Sequence, residues 1–327
     1  MNIFYKVKKE IEDKNFVLLE SLYKDGMVSR KISIPSNDQK DFSFEKFSKD
    51  NFRLVERVEK KGRMIVLGGG HIALSLIKIA KILGFSIIVF DDRPKFANNA
   101  RFPEADEIIV DEFSNLYKRI KIHLNDTVVI ITRGHKHDTT CLRWVLSSKS
   151  PKYTGMIGSR RRVAIVKDML INEGFKKERL EAIYSPIGLN INALTPAEIS
   201  IAILSEIIKN KRKGKDHRLL SENFDLSVLS ELSKDNSDYN AMITIVKQEG
   251  STPRTVGAKM LLSYDGRLMG SIGGGCAEGE VISIARNLIR KNGYALKTVD
   301  MSENAEDDGM VCGGNMEVIV ESLRPDL

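Results

Sequence analysis

From Met64 to about residue 210, short apolar runs alternate with stretches whose apolar residues recur at helical spacing. Such runs end near Leu67, Asp91 and Thr132, and each has the length of one buried strand. The stretch HIALSLIKIAKILGF, which follows the first run, has the repeat of an amphipathic helix. Strands that alternate with helices predict an α/β fold with a doubly wound parallel sheet.

The two ends of the chain show a different pattern, in which apolar and polar residues alternate. Near the start, FVLLESLY and MVSRKISI flank Asp25-Gly26, which predicts a hairpin. Near the end, AMITIVKQ, AKMLLSYDGRLMGSI and NMEVIVESL predict strands, with Asp265-Gly266 as a turn between two of them. A helix is predicted near Glu280 to Lys291, so the last part of the chain should be a smaller mixed α+β domain.

The basic run KNKRKGKDHR, from Lys209 to Arg218, is typical of a solvated linker and suggests a domain boundary. The expected organisation has four parts: an N-terminal segment with a hairpin over 1–60, the doubly wound domain over 61–210, a linker and connecting segment over 211–237, and a glycine-rich domain over 238–327.

Composition supports this division. A chain of 327 residues suits about two domains, and 42% apolar with 29% charged residues fits a soluble globular protein and excludes a disordered or collagen-like chain. The net charge of +7 favours anionic small molecules as ligands. Nucleic-acid binding is not expected, because no aromatic platform accompanies the basic run.

The cysteines and the apolar runs bear on the compartment. Cys141, Cys276 and Cys312 are too few and too scattered for a disulfide framework, which indicates a reducing cytoplasm. The first residues lack the apolar stretch of a secretory signal, and no apolar run is long enough for a membrane span. We therefore expect a cytoplasmic protein without membrane attachment, and Cys141, on a predicted helix, as a core residue.

The first motif with chemistry is GGGHIA, which places Gly68, Gly70 and Ala73 in a G-x-G-x-x-A pattern between a strand and a helix. In a Rossmann-type domain Gly68 permits the turn, Gly70 lets a pyrophosphate approach the backbone, and Ala73 packs the helix on the sheet. Asp91 follows at the distance expected of a ribose-binding acid. A nucleotide site and a purely structural glycine loop both fit this pattern.

Two further loops could contact a ligand. The sequence TRGHKHD follows the strand TVVIIT, at the edge where parallel sheets bind ligands, so His135 is a candidate contact. Whether a metal binds there stays open, and Asp138 is expected to cap a helix running from about Cys141 to Ser148. In GSRRR, the turn and arginines that open the next helix predict an anion site, with Arg160 as the candidate.

The last domain contains three glycine motifs. GSTPR ends at Arg254, SIGGGCAE contains Gly273, Gly274, Gly275 and Cys276, and VCGG contains Cys312. Consecutive glycines leave backbone amides free to bind a phosphate-like anion, and a cysteine at a helix start has a lowered pKa. These cysteines are candidates for a soft metal contact or a reactive thiol, although free cysteines also pack well in cores. They lack the paired spacing of a structural zinc site.

These strings together resemble the XdhC/CoxI family of xanthine dehydrogenase accessory proteins. GSTPR, GSIGGGCAEGE and CGG are similar to its smaller domain, while VLGGGHIA, DDRPKFANNARFPEAD and SPIGLNINALTPAEISIAILSEII are similar to its Rossmann-type domain. The resemblance covers nearly everything from residue 60 onward. In the family's usual order the glycine-rich domain comes first, whereas here it comes second.

The resemblance implies an accessory protein rather than a multi-turnover enzyme. Such proteins bind molybdenum cofactor (molybdopterin), promote its sulfuration with a cysteine desulfurase, and insert it into apo molybdenum hydroxylases such as xanthine dehydrogenase. By resemblance, Cys276 is the first candidate for a molybdenum contact, Cys312 the second, and Arg254 a candidate phosphate partner.

An alternative hypothesis starts from the Rossmann-type loop. Gly68, Gly70 and Asp91 would also suit an NAD(P)-dependent oxidoreductase, although the sequence shows no proton donor beside His135 in a defined substrate site. The occupancy of this loop stays open. A homodimer that completes a cleft between two chains would suit the reversed domain order.

Overall fold

In the computed structural model the chain forms two compact units. A composite unit combines Met1–Lys60 with Lys215–Leu327, and a continuous unit comprises Lys61–Gly214. The structure describes residues 2–14, 16–33, 42–60, 62–212, 224–274, 276–300 and 314–323, with the backbone alone for Cys276 and Ala277. The N-terminal segment, which the sequence pattern sets apart, thus belongs to the same unit as the end of the chain.

The N-terminal segment forms a helix and a four-stranded antiparallel sheet. Its elements are α1 (Ile3–Lys14), β1 (Phe16–Lys24), β2 (Met27–Ser33), β3 (Phe42–Lys46) and β4 (Phe52–Glu59). The strand order is β2-β1-β4-β3. The predicted hairpin is confirmed, because β1 and β2 flank Asp25 and Gly26, which both have the positive φ that a tight two-residue turn requires. The sequence pattern does not predict α1, β3 or β4.

The continuous unit contains the predicted parallel sheet. Its strands are β5 (Arg63–Leu67), β6 (Ser86–Asp91), β7 (Glu107–Val110), β8 (Thr127–Ile130) and β9 (Tyr153–Met156). The order is β7-β6-β5-β8-β9, and all neighbouring strands are parallel. The order reverses between β5 and β8, as in a doubly wound Rossmann-type sheet, so this prediction is confirmed.

Helices cover both faces of this sheet. They are α2 (His71–Ile82), α3 (Leu116–Arg119), α4 (His135–Ser147), α5 (Arg160–Asn172), α6 (Lys177–Glu181) and α7 (Pro196–Lys211). The apolar residues of α2 and α7 pack on one face, and those of α4 and α5 pack on the other. Ala73 is fully buried against the sheet, as the motif predicts. In the described part of the chain, no helix has the length and apolarity needed to cross a bilayer.

The C-terminal part of the composite unit contains a second antiparallel sheet. Its elements are α8 (Leu226–Leu232), β10 (Tyr239–Glu249), β11 (Lys259–Ser263), β12 (Leu268–Gly270), α9 (Cys276–Lys291), β13 (Tyr294–Asp300) and β14 (Asn315–Ser322). The strand order is β12-β11-β10-β14-β13. The predicted turn at Asp265-Gly266 joins β11 and β12, and the predicted helix begins four residues earlier than expected, at Cys276.

The two antiparallel sheets of the composite unit pack against each other. Side chains alternate along β10, so that Ile243 and Ile245 face α9 while Met242 and Val246 face the N-terminal sheet. Ile319 of β14 joins Val246 in this second core. The N-terminal segment therefore covers an apolar face that the C-terminal sheet would otherwise expose.

Ion pairs between described residues cross the interface between these sheets. Lys259 on β11 is fully buried, and its Nζ lies 2.5 Å from Oε1 of Glu56 on β4 and 3.2 Å from Oγ1 of Thr244. The second pair joins Arg30 to Glu321, again between the two sheets. A charge that is removed from water needs a partner of opposite charge. These pairs therefore favour one placement of the N-terminal sheet on the C-terminal sheet.

Candidate functional site

The glycine loop between β5 and α2 combines two packed glycines with one that borders open space. A Cβ on Gly68, whose φ is +116°, would lie 2.5 Å from the carbonyl oxygen of Ile131. A Cβ on Gly69 would lie 2.2 Å from that of Phe96. Among the residues that the structure describes, no atom outside the adjoining backbone lies within 4 Å of the Cβ position of Gly70, the residue that precedes α2. The backbone at Gly70 is therefore open to a ligand at the helix N-terminus.

Asp91, at the end of β6, is buried beneath this loop. Its Oδ2 accepts the amide of Gly69 at 2.8 Å, and its two oxygens accept Nε and Nη2 of Arg93 at 2.8 and 3.0 Å. Burial alone would raise the pKa of Asp91, but the hydrogen bonds from Arg93 and Gly69 outweigh it and lower the pKa. Asp91 therefore stabilises the conformation of the glycine loop through its hydrogen bond with Gly69. The next acid, Asp92, is partly exposed and pairs with Arg133 at 2.7 Å.

His135 is the first residue of α4 and is exposed to solvent at the carboxyl edge of the sheet. His137 points elsewhere, because its ring packs on Phe113 with the centroids 4.8 Å apart. Within the part of the chain that the structure describes, no group of three or more His, Cys, Asp or Glu side chains is placed to hold a metal. His135 thus lies where the sequence predicts it, at the carboxyl edge of the sheet, and its contact with a ligand stays a prediction.

The predicted cap at Asp138 is wrong. The helix begins at His135 rather than near Cys141, so Asp138 lies inside it. Its side chain is completely buried and accepts hydrogen bonds from Thr132 Oγ1 and from the guanidinium of Arg162. The carboxylate of Asp138 therefore links the start of α4 to the start of α5, and the guanidinium of Arg162 is the counter-ion of this buried charge.

The arginine cluster divides into a buried contact and an exposed one. Ser159 caps α5 by accepting the amide of Arg162 at 3.3 Å, so a helix start at this turn is confirmed. Arg160, the candidate from the sequence, is exposed at the first helical position. Arg162 instead forms the contact with Asp138. Arg160 is placed where an anion could reach it, and its role stays a prediction.

In the composite unit, the glycine motifs of the last domain lie side by side. A Cβ on Gly273 would lie 3.1 Å from the side chain of Pro253, so the SIGGG loop packs on the GSTPR turn. A Cβ on Gly314 would lie 2.5 Å from the carbonyl oxygen of Ser251, so the glycine that follows the VCG sequence packs on the same turn. Arg254 lies in this turn and is half-buried. The tertiary structure thus joins three motifs that lie far apart in the sequence.

The SIGGG loop already binds a carboxylate of the chain. Glu278 lies on the first turn of α9. Its Oε1 accepts a hydrogen bond from Oγ of Ser271 at 2.8 Å and from the amides of Ile272 and Gly274 at 3.1 and 3.0 Å. Burial alone would raise the pKa of Glu278, but these hydrogen bonds outweigh it and lower the pKa. The sequence predicts that Gly273 and Gly274 offer their amides to a ligand, whereas the amide of Gly274 bonds Glu278.

The cysteines differ in how much the structure describes of them. Cys276 is the first residue of α9, which confirms its predicted place at a helix start. Its side chain, Gly275 and Cys312 lie outside the described residues. Cys141 is fully buried in the core of the continuous unit, as predicted, and burial raises the pKa of its thiol well above the ordinary value.

Two family models match the two domains. The XdhC Rossmann domain matches residues 64–207, and the XdhC and CoxI family matches residues 236–300, so together they account for more than half of the chain. The chain belongs to the XdhC and CoxI family. In this member the Rossmann domain precedes the glycine-rich one, and the N-terminal sheet lies outside both matches.

Known relatives of this XdhC and CoxI family member share part of its length. It is 31% identical over 167 residues to a probable xanthine dehydrogenase subunit of Bacillus subtilis, covering 51% of this chain and 48% of that one. It is 28% identical over 153 residues to Escherichia coli YqeB, covering 46% of this chain and 28% of that one. A crystal structure of a xanthine dehydrogenase from Bacillus halodurans is similar, with a TM-score of 0.52, 25% identity and 64% of each chain covered. The chain thus spans about half or less of the curated relatives.

Sequence reasoning missed two residues of these loops, Glu278 and Arg162. Glu278 has a local signal, because a glutamate at the third position of a helix often bonds amides just before the helix. Arg162 has none, because its partner Asp138 is 24 residues away and on another helix.

Proposed function

We propose that this protein is an accessory factor for a molybdenum hydroxylase of the xanthine dehydrogenase type. In this proposal it binds molybdenum cofactor as cargo, assists the sulfuration of the cofactor by a cysteine desulfurase, and inserts it into the apo-hydroxylase. The names of the Bacillus relatives, both of which refer to xanthine dehydrogenase, support the choice of recipient.

The observation that carries the proposal is the convergence of the glycine motifs beside the start of α9. Pro253 packs on Gly273 and Ser251 packs on Gly314, so segments of the three motifs lie in contact, and one of them leads directly into α9 at Cys276. A thiolate at a helix N-terminus suits a soft metal-dithiolene centre. We assign the molybdenum contact to Cys276 and a contact with the anionic part of the cargo to Arg254.

Binding and delivery can be tested separately with the full chain. The purified protein would be titrated with isolated molybdenum cofactor, and the bound pterin would be measured after desalting by mass spectrometry. The loaded protein would then be mixed with apo xanthine dehydrogenase and the recovered activity recorded. We expect Cys276→Ala to lose cofactor retention, and with it delivery.

The matched control is Cys141→Ala, which removes a thiol from the core of the other unit. We expect this variant to retain and deliver the cofactor like the unaltered protein. Retention and delivery by Cys276→Ala at the level of this control would contradict the assignment of Cys276. Failure of the unaltered protein to retain any pterin would contradict the proposed function itself.

A second candidate function is nucleotide binding by the Rossmann domain, including an NAD(P)-dependent oxidoreductase. The space beside Gly70 favours it, because a Cβ there would meet no described neighbour within 4 Å and the fingerprint brings a pyrophosphate close to this glycine. Calorimetric titration with NAD(H), NADP(H) and ADP would test it. We expect Gly70→Ala to weaken binding while the unfolding midpoint stays unchanged. The absence of a binding heat with all of these nucleotides would contradict this candidate.

A further inference from the structure

The carboxylate of Asp91, which the glycine fingerprint assigns to a ribose, is already fully hydrogen-bonded. Asp91 is 1% exposed and accepts four hydrogen bonds, one from the amide of Gly69 and the others from the amide, Nε and Nη2 of Arg93. An ionised carboxylate offers about four lone-pair sites. The ribose hydroxyls of NAD(H) would therefore have to displace the chain's own donors in order to bind Asp91.

Arg93 is restrained in this position by an ion pair and by an aromatic ring. Its Nε lies 2.8 Å from Oδ1 of Asp91 and 3.7 Å from Oδ1 of Asp92. Its guanidinium lies over the ring of Phe96, 3.6 Å from the centroid. The end of β6 therefore presents a bound cation where an NAD(H) site presents a free carboxylate.

Arg101 provides a second guanidinium beside the glycine loop. Its Nη2 donates to the carbonyl oxygen of Gly69 at 3.1 Å, and its Cζ lies 5.3 Å from the ring centroid of Phe96 and 5.7 Å from that of Phe102. Its Nε is buried and has no hydrogen-bond partner among the described residues. A buried N–H without an acceptor is unfavourable, so an acceptor on a ligand would stabilise it.

The neighbouring arginines differ from Arg101 in having carboxylate partners. Arg93 pairs with Asp91, and Arg133 pairs with Asp92 at 2.7 Å. Within the described part of the chain, no carboxylate forms an ion pair with Arg101, whose side-chain hydrogen bond goes to the neutral carbonyl of Gly69. Arg101 is therefore the guanidinium at this edge of the sheet whose charge remains for an anionic ligand.

We propose that the Rossmann domain selects a nucleotide whose ribose carries a phosphate monoester, such as NADP(H), and that Arg101 contacts this phosphate. Rossmann domains accommodate such a phosphate with an arginine near the place where NAD(H) domains use the acid. A guanidinium suits it, because its planar fork donates parallel hydrogen bonds to phosphate oxygens. The inference rests on the nucleotide-binding candidate above and is independent of the proposed retention of molybdenum cofactor.

The test compares NADPH with NADH, which differ only in the 2′-phosphate on the adenosine ribose. Isothermal titration calorimetry with the full chain would measure the dissociation constant of each. We expect the unaltered protein to bind NADPH about tenfold or more tightly than NADH, as a charge-assisted hydrogen bond with the phosphate requires.

Arg101→Ala should reduce this preference to less than about threefold and leave the affinity for NADH unchanged, because the lost contact is with the phosphate alone. Both ligands are measured with the same variant, so a general loss of folded protein affects them alike. If Arg101→Ala does not fold, Arg101→Lys replaces it. Lysine lacks the paired donors of the guanidinium, so the preference should still fall by about threefold or more.

Arg143→Ala is the matched control. Arg143 is an arginine of the same unit, and its partner is Glu173, at 2.6 Å, rather than a residue of the glycine loop. This variant should keep the preference of the unaltered protein for NADPH.

Three results would overturn this inference alone. The first is equal or tighter binding of NADH by the unaltered protein. The second is an unchanged preference for NADPH in the folded Arg101 variant, and the third is an equal loss of preference in Arg143→Ala. If the unaltered protein binds neither dinucleotide, the nucleotide-binding candidate fails and this inference fails with it. The retention of molybdenum cofactor is measured separately, so the first proposed function stands or fails by its own test.

Discussion

Replacing Glu56 with glutamine should lower the free energy of unfolding of the composite unit by about 3 kcal/mol. Glu56 is the carboxylate partner of Lys259, whose side chain is fully buried between the two antiparallel sheets. Breaking a buried ion pair by removing one charge costs about 3–5 kcal/mol. The lower value applies here because the glutamine oxygen still accepts from Nζ, and because Thr244 and the ring of Phe224, 4.5 Å away, remain as neighbours.

Urea unfolding of the full chain measures this change. The chain has a single tryptophan, Trp144, which lies in the core of the continuous unit, so its fluorescence reports that unit. Far-ultraviolet circular dichroism reports both units. With a denaturant slope of about 2 kcal/mol per M, the transition of the composite unit should move by about 1.5 M. The Trp144 transition should keep its midpoint.

Two further variants test the physical reason. Glu280→Gln weakens an exposed pair with Lys297 in the same unit and should cost less than about 1 kcal/mol. Adding Lys259→Met to Glu56→Gln removes the unpaired buried charge and should restore about 2 kcal/mol or more. A loss below about 1 kcal/mol in Glu56→Gln, or no recovery in the double variant, would refute the reasoning.

Three more predictions concern the continuous unit. Gly69→Ala should lower the free energy of unfolding by about 2–3 kcal/mol, because its Cβ would overlap the backbone carbonyl of Phe96. Gly70→Ala should change this free energy by no more than about 0.5 kcal/mol. The reverse order, measured by unfolding that is followed with Trp144 fluorescence, would contradict the geometry. The folded-state pKa of Asp91 lies below its ordinary value of 3.8, so the stability it contributes is present above that pH and is lost as the pH falls through the lowered pKa. Thermal midpoints of Asp91→Asn should therefore vary less below about pH 4 than those of the unaltered protein, and equal slopes would count against it. Cys141 should resist alkylation until the unit unfolds, and labelling under native conditions, detected by peptide mass spectrometry, would show that its burial is wrong.

Local patterns were sufficient for much of the Rossmann domain. The strands that end at Leu67 and Asp91 contain only buried side chains apart from their first residues, and such runs are visible in the sequence. The Thr-Pro-x-Glu pattern that begins at Thr195 is a local signal for a helix start, and both capping hydrogen bonds form. The start of α4 was misplaced because Asp138 looks like a cap, and only its distant partner Arg162 shows that it faces inward.

The candidate site was predictable in its motifs but not in its assembly. Each glycine motif is a local signal, and so is the place of Cys276 at a helix start. That the GSTPR turn packs on Gly273 and on Gly314 depends on the order of the strands that carry these motifs. Strand order is set by long-range pairing and not by the periodicity of any one strand.

By itself, the amino-acid sequence determined the alternation of strands and helices, the glycine loops and membership of the XdhC and CoxI family, because these are properties of neighbouring residues. The tertiary structure alone decided that the first 60 residues complete the glycine-rich domain and that Glu278 fills its own loop. The pair of Glu56 and Lys259 is separated by 203 positions. A contact of that kind forms only when the two sheets have packed, because burial makes an unpaired charge unfavourable and a paired one tolerable.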